Sequence, residues 1–152
     1  ELARASGVAG MCGGQALDID ATGATVSLAE LERLHALKTG ALLRASVRLG
    51  ALAAGADAAS LLKLDGFADA LGLAFQIRDD LLDVEGDSAS LGKTAGKDAA
   101  QDKATFPALI GIDASRARLA NLSATMADAL DALDQDTTAL AALGRLAIER
   151  TR

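Results

Sequence analysis

The sequence predicts an all-α fold, a helical bundle, on three observations. Apolar residues make up 51% of the chain, mostly Ala and Leu, while aromatic residues are only 2%. That composition suits helix and lacks the β-branched and aromatic residues a β-sandwich needs. Proline occurs once, and apolar positions recur at helical spacing from Leu31 to Ile148. The 152 residues make one domain or part of one, long enough to bury a sizeable core.

Each element has its own signal. Residues 1 to about 20 read as a helix interrupted by Gly7, Gly10, Gly13 and Gly14. Gly7, Gly10 and Gly14 fall on one side, which predicts either close packing against another helix or room for a substrate beside Gln15 and Asp18. Asp20-Ala21-Thr22-Gly23 reads as a turn. Ser27 and Glu30 then form a capping box ahead of a long helix carrying Leu31, Leu34, Leu37 and Leu42. Lys38-Thr39-Gly40 interrupts that helix with a cation, a hydroxyl and a glycine, a grouping suited to close approach and phosphate binding. Gly55 ends it, and Asp57 caps the next, which runs through Leu61, Phe67, Leu71 and Phe75 to Val84. Gly86 to Lys103 reads as a loop rich in Gly, Lys and Asp; its Gly92-Lys93-Thr94 lacks the upstream glycine and strand of a P-loop. Thr105-Phe106-Pro107 opens a further helix with Pro near its first position. Asp113 and Asp136 read as caps of two last amphipathic helices, and Arg150 and Arg152 as an ordinary basic end.

The most informative stretch is Phe75-Gln76-Ile77-Arg78-Asp79-Asp80-Leu81-Leu82-Asp83-Val84. On a helix, Gln76, Asp79, Asp80 and Asp83 stand at i, i+3, i+4 and i+7 and share a face among apolar neighbours. Three carboxylates on such a stripe repel one another and resist desolvation. A hard cation held by oxygen relieves this, and Mg²⁺ suits a site of one or two carboxylates, water and phosphate. The lysines of the following loop would neutralise the other side of a diphosphate.

Other features narrow the field. The net charge of −6 argues against nucleic acid as a main partner. No window is apolar enough for a membrane span, and the opening Glu1-Leu2-Ala3-Arg4 is not a signal peptide. The lone Cys12 excludes an intrachain disulfide; it is expected to be a small buried apolar residue in a reducing, cytoplasmic setting. The lone His35 reads as structural.

Taken in order, Gly13-Gly14-Gln15-Ala16-Leu17-Asp18, Lys38-Thr39-Gly40, Phe75 to Asp83 and Gly92-Lys93 resemble the C-terminal half of the trans-isoprenyl diphosphate synthases. The similarity is strongest to their bacterial farnesyl/geranyl branch and covers nearly the whole chain, including Thr105-Phe106-Pro107-Ala108-Leu109. The resemblance implies an all-α isoprenoid synthase fold around a central cavity, a homodimer, and condensation of an allylic diphosphate with isopentenyl diphosphate. It implies that Asp79, Asp80 and Asp83 form the second aspartate-rich, Mg²⁺-binding motif. It implies that Lys38, Thr39, Gln76, Lys93 and Lys103 contact the allylic diphosphate, with Gln15 and Asp18 lining the cavity. Lys38, Thr39 and Gln76 would also stabilise the allylic cation.

The only Asp-Asp pair is Asp79-Asp80. The resemblance places the first aspartate-rich motif, the isopentenyl-diphosphate site and the chain-length-setting residues upstream of Glu1. The chain is therefore expected to be the C-terminal portion of one domain and inactive alone, with exposed apolar surface. A related squalene- or terpene-type synthase, or a non-catalytic helical subunit, is the alternative.

Overall fold

The computed structural model describes residues 1–89 and 103–151, without the side chains of 87–89. The described residues are helical throughout, joined by short turns. The helices are α1 (Leu2–Ser6), α2 (Met11–Asp20), α3 (Leu28–His35), α4 (Ala41–Ala53), α5 (Ala58–Ala89), α6 (Phe106–Ile110), α7 (Ile112–Asp131) and α8 (Thr138–Glu149), and a single π-helical turn, Ala36–Gly40, joins α3 to α4.

Helix α5 is the axis of the bundle. Phe67, Ala70, Leu71, Ala74, Ile77 and Leu81 form its buried stripe, at the spacing one face of a helix requires. Leu119, Met126 and Leu130 of α7, Ala147 of α8, Leu31 and Phe106 close over it. Helix α4 and the π-turn pack on α5 as well, so the Lys38-Thr39-Gly40 segment meets the aspartate helix directly.

Most boundaries follow the local chemistry. Ser27 and Glu30 make the reciprocal capping box at α3. Gly55, at φ 77°, takes the left-handed conformation just past α4. The Asp57 carboxylate accepts from Ser60 N–H at 2.7 Å to start α5, and Thr105 caps α6 with Pro107 in its first turn. Thr138 N–H donates to Asp136 Oδ1 at 2.9 Å, at the start of α8.

Four expectations need correction. Helix α5 continues through Gly86 to Ala89, because one glycine costs a helix only about 1 kcal/mol. Asp113 lies inside the first turn of α7, and Gly111, at φ 86°, holds the cap position. Cys12 is exposed rather than buried. Arg150 is no ordinary terminal residue, because it reaches back across the bundle to Asp79. Gly92, Lys93 and Thr94 lie outside the described residues.

Candidate active site

Helix α2 places Asp18 beside the π-turn, where Lys38 Nζ donates to Asp18 Oδ2 at 2.6 Å. The pair is mostly shielded, with side-chain exposures of 30% and 16%. Asp18 thus fixes the lysine head and leaves its remaining protons available to an anion.

The next residue of the turn faces α5. The Thr39 hydroxyl donates to Gln76 Oε1 over a long 3.4 Å, and Gln76 Nε2 donates to Asp80 Oδ1 at the same 3.4 Å. Asp80 Oδ2 accepts the Phe106 backbone N–H at 2.9 Å. A polar chain therefore runs from the π-turn across the aspartate helix to the start of α6. Asp80 is buried, at 4% exposure, and its bonds into the protein offset the desolvation of its charge.

Asp79 faces the other way and is 55% exposed. Arg150 Nη2 donates to Asp79 Oδ1 at 2.9 Å and to the Phe75 carbonyl at 3.1 Å. The Arg150 guanidinium also lies 4.0 Å from the centre of the Phe75 ring, and Arg78 Nε donates to the Arg150 carbonyl at 3.0 Å. Asp83 stands half-buried one turn beyond Asp79. The stripe predicted on one face is thus divided between an inward Asp80 and an outward Asp79. Among the described residues no three His, Cys, Asp or Glu side chains converge as a cage for a metal ion.

Lys103 lines a small cleft with Asp18 and Thr22, so it joins the Lys38 side of the site. Gln15 stands exposed on α2. A cavity of about 840 Å³ opens on another face of the π-turn, lined by Arg4, Arg33, Leu37, Gly40, Arg44 and Leu73. None of Asp79, Asp80 or Asp83 lines it. There Arg44 and Arg48 both pair with the buried Asp65. No local sequence signal marks that network or the Arg150 contact, because each joins residues distant in the chain.

His35 is buried just before the π-turn, and its ring stacks on Phe106 with 5.7 Å between centroids. Neither ring nitrogen has a partner among the described residues. Burial lowers its pKa to about 4, aided by Lys38 and opposed by Asp18 and Asp79. A His with a depressed folded pKa contributes stability fully at neutral pH. Below its ordinary value, near 6.5, the unfolded chain takes up a proton that the folded one refuses, so stability falls as the pH drops toward 4. At pH 5 the loss is about 2 kcal/mol. In His35→Phe, urea unfolding should show a difference between pH 7 and pH 5 smaller by about that amount. An unchanged difference would show that His35 carries none of the acid sensitivity.

Residues 4–142 match the polyprenyl synthetase family. The chain is 51% identical over its whole length to the farnesyl diphosphate synthase of Escherichia coli K12, of which it covers 52%. It is 50% identical to that of Geobacillus stearothermophilus over 78% of the chain and 40% of the relative. Among solved structures, an FPP/GFPP synthase from Zymomonas mobilis superposes with TM-score 0.82 at 34% identity, covering 96% of this chain and 48% of that one. A geranyltransferase from Helicobacter pylori, complexed with magnesium and isoprenyl diphosphate, gives 0.78 at 32%, covering 97% and 48%. The chain spans about half the length of these relatives. With a match over nearly all of its residues, the chain belongs to the polyprenyl synthetase family.

Proposed function

We propose that the protein carrying this chain is a prenyltransferase. It condenses an allylic diphosphate, dimethylallyl or geranyl, with isopentenyl diphosphate to give farnesyl or geranyl diphosphate. The observation that carries this reading is the polar chain from the π-turn into the aspartate helix, with Lys38 clamped on Asp18 beside it. The farnesyl diphosphate synthases among its relatives supply the product class.

The donor set fits Mg²⁺ as one wall of a site. Asp79 and Asp83, one turn apart on α5, would hold the ion; Asp80, bonded to Phe106 N–H, would hold the motif in register. The Helicobacter pylori relative bound to magnesium and isoprenyl diphosphate supports this choice. When bound, the metal neutralises negative charge on the departing diphosphate.

The chain's own residues then bind and position. Lys38, with Lys93 and Lys103, takes the diphosphate oxygens. The Thr39 hydroxyl and the Gln76 carbonyl direct their dipoles at the allylic cation left by ionisation. The double bond of isopentenyl diphosphate attacks that cation, and a proton leaves to the released diphosphate. No protein nucleophile is needed; catalysis is charge stabilisation and orientation. We place the enzyme in the cytoplasm, where an exposed lone thiol such as Cys12 is stable. The exposed apolar residues Leu2 of α1, Val8 of the turn after it and Ile19 of α2 support further burial of this N-terminal region in a homodimer. No described helix is long and apolar enough to cross a membrane.

The test is an assay of the complete protein with geranyl and isopentenyl diphosphates. Farnesyl diphosphate should form with Mg²⁺, cease on chelation, and return on readdition. The 152-residue chain alone should bind inorganic diphosphate with Mg²⁺ and show no turnover. A hydrocarbon product would point instead to a terpene- or squalene-type synthase. Absence of both binding and turnover would leave a non-catalytic subunit.

A further inference from the structure

We infer that Gly14 and Gly72 are positioning residues for the allylic-diphosphate site. By direct backbone contact they hold the π-helical turn in the one arrangement that aims Lys38 and Thr39. The inference rests on the prenyl-transfer reading above.

A π-turn adds one residue to a helix; it is rare overall and frequent at functional sites. Here it is flanked by helical backbone on both sides, with His35 at φ −69°, ψ −36° and Ala41 at φ −57°, ψ −42°. One extra residue rotates everything before it by about 100° relative to α4. The turn therefore decides which way Lys38 and Thr39 point.

It is gripped from two sides. A Cβ on Gly14 would overlap the Lys38 backbone nitrogen and lie 2.5 Å from Lys38 Cα and 2.7 Å from the Leu37 carbonyl carbon. A Cβ on Gly72 would lie 2.8 Å from Gly40 Cα. Gly14, Gly40 and Gly72 are all buried. The helical glycines Gly50, Gly66 and Gly86 meet nothing within 4 Å, and Gly10 and Gly13 approach only the nearby backbone of Ala5 and Val8, so Gly14 and Gly72 are the glycines that bring separate helices onto this turn.

The two grips share one geometry. Gly14 stands one helical turn before Asp18, which bonds Lys38; Gly72 stands one turn before Gln76, which bonds Thr39. On each helix the glycine sets the backbone distance and the residue four later makes the polar contact. The Thr39–Gln76 bond is already 3.4 Å long, so any widening between α5 and the turn breaks it.

The test uses the complete protein. Wild-type turnover comes first, since its absence counts against the proposed reaction and not against the glycines. With an active wild type, Gly72→Ala should stay folded and lower kcat about 10- to 100-fold, with the KM for isopentenyl diphosphate unchanged. Gly14→Ala, which displaces Lys38, should raise the KM for the allylic diphosphate about 10-fold or more. One control separates this from a general effect on the fold. Gly66→Ala, on the same helix, should leave kinetics unchanged, because its Cβ would meet nothing within 4 Å. Folded Gly14→Ala and Gly72→Ala variants within twofold of wild type would overturn the inference. So would loss of folding in both, because positioning requires a folded protein with misplaced groups; if only Gly72→Ala fails to fold, the Gly14→Ala KM decides.

Discussion

Replacing Lys38 with methionine in the complete protein should lower turnover by about 10²–10³-fold, the usual effect of deleting one fixed donor from a developing anion. Methionine keeps much of the aliphatic stem and removes the charge. The single substitution also leaves Asp18, whose side chain is 16% exposed, without its 2.6 Å partner. An unpaired, mostly buried carboxylate costs about 1–3 kcal/mol, so stability should fall with activity. The double variant Lys38→Met with Asp18→Asn separates the two effects. It removes the stranded charge and should recover most of the lost stability, measured by urea unfolding. Its turnover should stay at the level of the single variant. Recovery of turnover along with stability would mean that Lys38 serves only as Asp18's counter-ion.

What could be read from the sequence was local. The capping box Ser27/Glu30, the left-handed Gly55 and the Asp57 cap each depend on neighbours within four residues, and all three appear in the structure. The interruption at Lys38-Thr39-Gly40 was also legible, because glycine next to two phosphate-binding side chains is unusual inside an apolar helix. Its form was not: one extra residue in a helix leaves no mark on the hydrophobic period over so short a span. The division of the aspartates was hidden for a different reason. Helical spacing sets the neighbours Asp79 and Asp80 about 100° apart within a broad face, and the partners that settle which turns inward come from elsewhere. Phe106 N–H turns Asp80 inward from 26 residues away, and Arg150 draws Asp79 outward from 71 residues away. Cys12 failed as a core prediction because the broken helices α1 and α2 leave their outer side uncovered. Gly86 failed as a helix end because a single glycine penalty, about 1 kcal/mol, is too small to stop a helix by itself.

Phe106→Ala should be the most damaging single change to stability near the site. The ring is fully buried, at 0% exposure, and truncating such a residue costs about 3–5 kcal/mol. That is a large part of the 5–15 kcal/mol that holds a typical domain, so measurements belong at low temperature. Phe67→Ala provides the comparison. Phe67 is equally buried and should lose a similar amount, but it packs near Gly144 and Met126, remote from the aspartate motif. Phe106 is tied to the site twice. Its N–H holds Asp80 at 2.9 Å, and its ring stacks on His35, the residue from which the π-turn springs. Removing the ring loosens α6 and with it the donor that turns Asp80 inward. Both variants should therefore show a similar loss in urea unfolding. Among molecules still folded, only Phe106→Ala should bind inorganic diphosphate with Mg²⁺ more weakly, by about tenfold or roughly 1.4 kcal/mol in calorimetry. Equal affinity in the two folded variants would make Phe106 a core residue like any other, and would leave the position of Asp80 to Gln76 and the rest of α5.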